Sequence, residues 1–182
     1  MEIVNRGVQQ QMVASERQDW NTPGEVLRIV RAFDCIGLDP CSNAGSIVGA
    51  QTEWRLERDG DSLARDWRGY GLVYCNPPYS HHLRAWLAKC STAHAEIIAL
   101  TPARTDTVWW QDYAATADAI CYWRGRLKFL GADNCAPFPS ASCYWGPRVA
   151  RFVEMFKPVG LVQVSANLLR HVEESPQMQL AL

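Results

Sequence analysis

The sequence predicts an α/β domain whose sheet is mostly parallel and doubly wound, with an antiparallel hairpin at its edge. Three observations carry that prediction. Apolar runs of strand length, CIGLDP (35–40), GLVYCN (71–76) and EIIALTP (96–102), alternate with stretches whose apolar residues recur at helical spacing. The first two runs end on an acid or an amide followed by proline, which stops a strand because it fixes φ and has no N–H to donate. The last two runs, AICYW (119–123) and SASCYW (140–145), have no helical pattern between them and are expected to pair as the hairpin.

Taken in order, residues 1–18 are polar and Gln-rich and read as an arm or a short helix. A helix begins at DWNTPGEVLRIVRAF. Thr22 is a natural N-cap, Pro23 suits the first helical position, and Glu25 completes a T-x-x-E capping box. Val26, Leu27, Ile29, Val30 and Phe33 form its buried face. CIGLDP then opens into CSNAGS, a loop of small residues. Residues 47–69 resist assignment beyond the acidic, turn-rich DGDSLARDW with a short helix. In HHLRAWLAKCSTA (81–93), Leu83, Trp86, Leu87 and Cys90 share one helical face, and TDTVWWQDYAATA (105–117) reads as a third helix. A long, basic, loop-rich insert, RGRLKFLGADNCAPFP, separates the two late strands. The expected organisation is an arm (1–18), one domain (19–160) and a tail (161–182).

Composition bounds the chemistry. The chain has 182 residues, 48% of them hydrophobic and 20% charged, the profile of a globular domain with a real core. A net charge of −1 excludes an overall basic coat, so any nucleic-acid contact must be a local, salt-sensitive patch. Seven cysteines without a CxxC pair, and no signal peptide, point to reduced thiols in the cytoplasm. The cysteine and histidine spacings make no metal site, and no apolar run reaches membrane-spanning length. The eight tryptophans read mainly as core.

In a doubly wound sheet the ligand lies beyond the carboxyl ends of the strands, which places Asp39 and Asn76 in one crevice. The corner after the second strand is Asn76-Pro77-Pro78-Tyr79. An exocyclic amino group on an aromatic ring is a poor nucleophile because its lone pair is delocalised. Two acceptors that bind both its N–H groups favour the pyramidal form and aim the lone pair. The Asn76 side-chain oxygen and the Pro77 carbonyl, stiffened by the Pro-Pro unit, supply two such acceptors. Tyr79 offers a stacking face worth about 1–3 kcal/mol, comparable with the few kcal/mol that everting a base from a duplex costs. The competing view is a proline-terminated strand with Tyr79 at the core boundary.

LDPCSNAG resembles the cofactor-binding first motif of amino-methyltransferases. Together DWNTP, LDPCS, DGDSLARDW, VYCNPPY, ALTPARTDT, GRLKF and PFPSA, spread over about residues 19–147, resemble the phage-type DNA N6-adenine methyltransferases, a Dam-like family. That resemblance implies a Rossmann-like, S-adenosylmethionine-dependent enzyme that acts on adenine in DNA, in the cytoplasm of a bacterial host. It makes Asn76, Pro77, Pro78 and Tyr79 catalytic, and Thr22, Asp39, Pro40, Cys41, Asp61 and Ser62 cofactor-binding. The acid that grips the ribose in larger methyltransferases has its candidate in Glu53. Arg104 stands just past a strand end on the crevice side, where it would contact a DNA phosphate or an orphaned base, with a salt bridge to Asp106 as its competing role. Arg124, Arg126 and Lys128 would share one face of a strand and bind the DNA backbone, against the reading of a charge-protected edge. Phe129 reads as core or as a flank of the target base.

Other planar amines keep an alternative open: N4 of cytosine in DNA, an RNA base or a protein amide. Cytosine C5 chemistry through Cys41, and a catalytically inactive DNA-binding relative, are further alternatives. No separate recognition domain fits in this length, so specificity is expected to come from loops such as 124–139, to come from a homo-oligomer, or to be weak. The ending QMQLAL resembles peptides that dock on sliding clamps; a disordered or oligomer-packing tail is the preferred reading.

Overall fold

The computed structural model describes residues 20–80 and 82–166. The arm expected over 1–18 and the QMQLAL ending lie outside the described residues. The domain is a mixed α/β structure around one seven-stranded sheet of order β2-β1-β3-β4-β6-β5-β7. Its elements are α1 (Gly24–Phe33), β1 (Ile36–Asp39), β2 (Thr52–Glu53), α2 (Leu56–Asp59), β3 (Leu72–Cys75), α3 (Leu83–Thr92), β4 (Glu96–Pro102), α4 (Val108–Asp112), β5 (Ala119–Trp123), β6 (Ser140–Trp145), α5 (Val149–Phe156) and β7 (Gly160–Val164). The first four strands of the sheet run parallel; β6, β5 and β7 alternate in direction beside β4.

Two hydrophobic layers sandwich the sheet. One holds the apolar face of α1 (Val26, Leu27, Val30, Phe33) with Phe152 and Phe156 of α5; the other holds Leu83 and Leu87 of α3 with Trp67 and Trp110. In α5 the rings of Phe152 and Phe156 stack at 4.2 Å, and Phe152 stacks on Tyr144 at 5.0 Å. At the amino end of the parallel strands Arg148 grips Glu96 through Nε and Nη2 (2.8 and 2.6 Å) and pairs with Asp34 through Nη1 at 2.6 Å. Arg148 thus ties the segment after α1 to the start of β4 at that end.

One irregularity sets which residues reach the carboxyl end of the parallel strands. Ile36 and Leu38 of β1 sit opposite the adjacent residues Leu72 and Val73 of β3, so Gly37 is an extra residue, a bulge. In a regular strand Ile36 and Leu38 would share a face. Here Ile36 joins the α1 layer and Leu38 the opposite one. Asp39 consequently turns to the α1 side, the side that Asn76 also takes after Tyr74 (α1 layer) and Cys75 (opposite layer).

Four expectations are corrected. The β5–β6 hairpin is not at the edge: β6 inserts beside β4, and β7, arriving after α5, pairs with β5 and forms the border. Strand β7 also carries the sheet into residues expected to be tail. Thr22 does not cap α1. The helix starts on the Pro23 carbonyl, which accepts from Val26 and Leu27 N–H at 3.1 and 3.2 Å. The Thr22 hydroxyl instead meets the buried Tyr74 hydroxyl at 3.1 Å, because a buried phenol needs a partner. The helix expected over 105–117 breaks after Asp112, and Ala114–Thr116 form a 3₁₀ turn. There the Thr116 hydroxyl donates to the Tyr113 carbonyl at 2.6 Å and accepts from Trp145 Nε1 at 3.2 Å, local bonds that compete with a continued α-helix.

Candidate active site

The parallel strands deliver their carboxyl ends to one crevice: Glu53 from β2, Asp39 from β1, Asn76 from β3 and Arg104 just past β4. A cavity of about 190 Å³ lies there, lined by Trp20, Asn21, Thr22, Asp39, Cys41, Asn43, Ser46, Val48, Glu57, Asn76 and Pro78. It adjoins an open cleft of about 800 Å³, with which it shares Asn21, Asn43 and Glu57. Ligand sites of drug-sized molecules occupy roughly 300–1,000 Å³, so the two compartments together, rather than the inner one alone, have the needed room.

Asn76 is the best-defined group at this corner. Its Nδ2 donates to the Trp20 carbonyl. Since a carbonyl can only accept, the NH₂ end of the amide is the one that faces Trp20. The other end, Oδ1, is buried and has no hydrogen-bond partner among the described residues. A buried acceptor without a partner costs about 1–3 kcal/mol, the kind of deficit found where a ligand is meant to complete the set. The Pro77 carbonyl likewise accepts no hydrogen bond from the described residues. Two open acceptors therefore stand one residue apart on a proline-stiffened corner.

Asp39 is the acidic counterpart. It is 3% exposed and pairs with no cation among the described residues. Its Oδ1 accepts from Cys41 N–H at 3.1 Å and its Oδ2 from the Ser46 hydroxyl at 3.4 Å. Burial pushes its carboxyl up to about 7, against the lowering effect of the Cys41 N–H, with Glu53 adding a further upward push. Such a carboxylate is short of a positive partner. Glu53 itself pairs with Arg55 at 3.5 Å.

Other candidates are placed as follows. Thr22 lines the cavity as expected, and Cys41 does too. The Cys41 sulfur lies 3.7 Å from that of Cys75, and burial pushes its thiol up, which is opposite to what a nucleophilic thiolate requires. Pro40 follows Asp39 at the strand end, buried. Asp61 and Ser62 are not brought to the cavity. Asp61 accepts from Leu63 N–H at 2.9 Å and caps a 3₁₀ turn, while the Ser62 carbonyl accepts from Trp67 Nε1 at 2.9 Å; both are consumed by the turn. Tyr79 does not line the cavity either. Its hydroxyl donates to the Leu100 carbonyl at 3.3 Å, and its ring meets those of Phe129 and Phe138 at 5.9 and 5.6 Å in edge-on geometry. Phe129 is core.

Arg104 is exposed and forms no ion pair with Asp106. Arg124, Arg126 and Lys128 do not lie on a strand, since β5 ends at Trp123 and Gly125 takes a left-handed φ of 77°. Exposure nonetheless alternates over residues 126–130, with Arg126 and Lys128 exposed and Leu127 and Phe129 buried. None of these four cations is ion-paired among the described residues, whereas Arg55 and Arg58 on the Asp39 side are paired with Glu53 and Asp59. Asp39 and Glu57 line the cavity with Asn76, while the four cations lie outside its lining, Arg104 and Arg124 following the ends of β4 and β5 on the other side of β3 from β1.

Sequence reasoning missed Asn21, Asn43, Ser46 and Glu57. Asn43 Nδ2 donates to Asn21 Oδ1 at 2.7 Å and so ties the small-residue loop to the segment over Asn76. The signal lay in the two asparagines of DWNTP and CSNAGS, but only folding brings them together.

Among the described residues no cluster of three His, Cys, Asp or Glu side chains could hold a metal ion, and no helix is long and apolar enough to cross a membrane. In comparisons with known proteins, a family model described as DNA N-6-adenine-methyltransferase (Dam) matches residues 9–157. No curated protein and no solved structure matches the chain.

Proposed function

The chain belongs to the DNA N-6-adenine-methyltransferase (Dam) family, and from that premise we propose that it methylates N6 of an adenine everted from DNA, using S-adenosylmethionine in a Rossmann-like site. The observation that carries this reading is the buried Oδ1 of Asn76, unpartnered among the described residues and oriented by the hydrogen bond that Nδ2 donates to the Trp20 carbonyl. Asn76 Oδ1 and the Pro77 carbonyl accept the two N6 hydrogens, so the nitrogen becomes pyramidal and its lone pair is withdrawn from the ring's π system and points to the Asp39 side. Pro78 walls the pocket, and Tyr79, anchored to Leu100, backs the base. Arg104, Arg124, Arg126 and Lys128 take the DNA phosphates, which explains how a chain of net charge −1 holds a polyanion.

S-adenosylmethionine supplies an electrophilic methyl carbon when bound. The residues present fit a cationic ligand of this kind: Asp39 is a buried carboxylate without a positive partner, flanked by Thr22, Pro40, Cys41 and Ser46. Glu53, ending β2 beside Asp39, is the candidate for the ribose hydroxyls, with Glu57 between the two compartments as a second acid in reach. The experiment that tests the function is incubation of plasmid DNA with S-adenosylmethionine followed by nucleoside mass spectrometry. N6-methyladenine is the expected product; N4-methylcytosine, or no methylated base, would overturn the reading.

The Asp39 carboxyl makes cofactor binding depend on pH. Because its folded-state pKa is raised to about 7, the native protein holds a proton there that the unfolded chain gives up near 3.8. The sign follows: as pH rises through that window, folding stability falls, while a cationic ligand, which prefers the ionised form, binds better. Calorimetry should therefore find S-adenosylmethionine bound roughly tenfold more weakly at pH 5.5 than at pH 8. Asp39→Asn should bind weakly at both. A flat profile in the unaltered protein would show that Asp39 does not face the cofactor's charge.

A further inference from the structure

We propose that Leu130 is the side chain that enters the duplex in the space left by the everted adenine, an inference that rests on the reading of the site given above. Leu130 is 42% exposed, a large apolar side chain turned to solvent. Along 126–130 exposure alternates, so Arg126, Lys128 and Leu130 share the outer face of the segment. Its inner face is clamped to the site: the Phe129 ring lies 5.2 Å from Trp20 and 5.9 Å from Tyr79.

Hydrogen bonds fix where the leucine stands. Its N–H donates to the Asn21 carbonyl at 2.9 Å, and the pair forms an antiparallel bridge. The preceding carbonyl, that of Trp20, accepts from the Asn76 amide. Consecutive carbonyls of one short segment thus hold the reactive corner and Leu130. Immediately beyond, Gly131 adopts φ 74°, a left-handed conformation that turns the chain away and leaves Leu130 at the tip.

An everted base leaves a gap in the stack and an orphaned partner, and apolar side chains inserted at base steps are a general means of filling such gaps. A leucine flanked by backbone-binding cations, at the rim of the pocket that takes the base, has the chemistry and the position for that role. Its role is to position the substrate; the chemistry stays with Asn76.

The test compares kcat/KM of the unaltered protein, Leu130→Ala and Leu130→Met on three DNAs: a duplex, its target strand alone, and the duplex with an abasic site opposite the target. Leu130→Ala should lose about tenfold or more on the duplex. It should match the unaltered protein within about twofold on the single strand and recover most activity on the abasic duplex, where eversion is cheap. Leu130→Met should stay near normal on all three. With 2-aminopurine at the target, the fluorescence rise on binding duplex should shrink in Leu130→Ala. Equal duplex activity of Leu130→Ala and the unaltered protein overturns the inference, and so does an equal loss on single strands, which would mark a merely structural loop. Activity of the unaltered protein on single strands alone also overturns it. If the unaltered protein methylates none of the three, the reading of the site itself fails and the inference falls with it.

Discussion

Asn76→Ala is expected to lower methyl transfer to DNA by about 10²-fold or more, the effect of removing one group aimed at charge that develops in a transition state. Cofactor affinity should stay within a few-fold, because Asp39 and the small-residue loop remain. Stability should change little. The substitution gives up one hydrogen bond to Trp20, worth about 1 kcal/mol, but it also removes a buried acceptor that has no partner. A collapse of turnover in a protein of near-normal melting temperature separates a catalytic amide from a structural one. Asn76→Asp divides the two halves further, since it keeps an acceptor but loses the donor that Trp20 holds. Its activity should fall between those of Asn76→Ala and the unaltered protein. Near-normal turnover of Asn76→Ala, measured with labelled S-adenosylmethionine, would remove the basis of the proposed function.

The second large effect belongs to a residue that touches no substrate. A Cβ on Gly37 would lie 1.6 Å from the Tyr70 carbonyl oxygen and 2.8 Å from its carbon. Both are backbone atoms, so no side chain can swing aside, and the bulge in β1 would have to open. Gly37→Ala should therefore destabilise the fold by about 3 kcal/mol or more, at the upper end of overpacking substitutions. Where enough folded protein survives, cofactor affinity should drop as well, because the bulge turns Asp39 toward the crevice. Gly24→Ala provides the contrast: nothing lies within 4 Å of a Cβ there, and the substitution should be neutral or stabilise by about 0.5 kcal/mol. Chemical denaturation of the two variants side by side decides the matter. A Gly37→Ala protein as stable as Gly24→Ala would show that the bulge is not needed.

Much of this site was readable along the chain. The strands ending at Asp39 and Cys75 announced themselves by apolar runs stopped at proline, and Glu96–Pro102 is found where its run stands. The corner at Asn76 needed only local chemistry to be noticed. What failed did so for a common reason: competition from distant partners. Thr22 has the residue type of a cap, yet a buried phenol from β3 claims its hydroxyl. Thr116 sits in a helical pattern but bonds an indole from β6.

By itself the sequence determined the family, the α/β class and the Asn-Pro-Pro-Tyr corner, because strand runs, proline stops and motif order are properties of neighbours along the chain. Only the tertiary structure decided that β7 borders the sheet, that a bulge aims Asp39, and that Trp20 leaves one end of the Asn76 amide open. Those depend on pairings between residues far apart in sequence, where burial obliges each polar group to find a partner, and no local pattern specifies which one it finds.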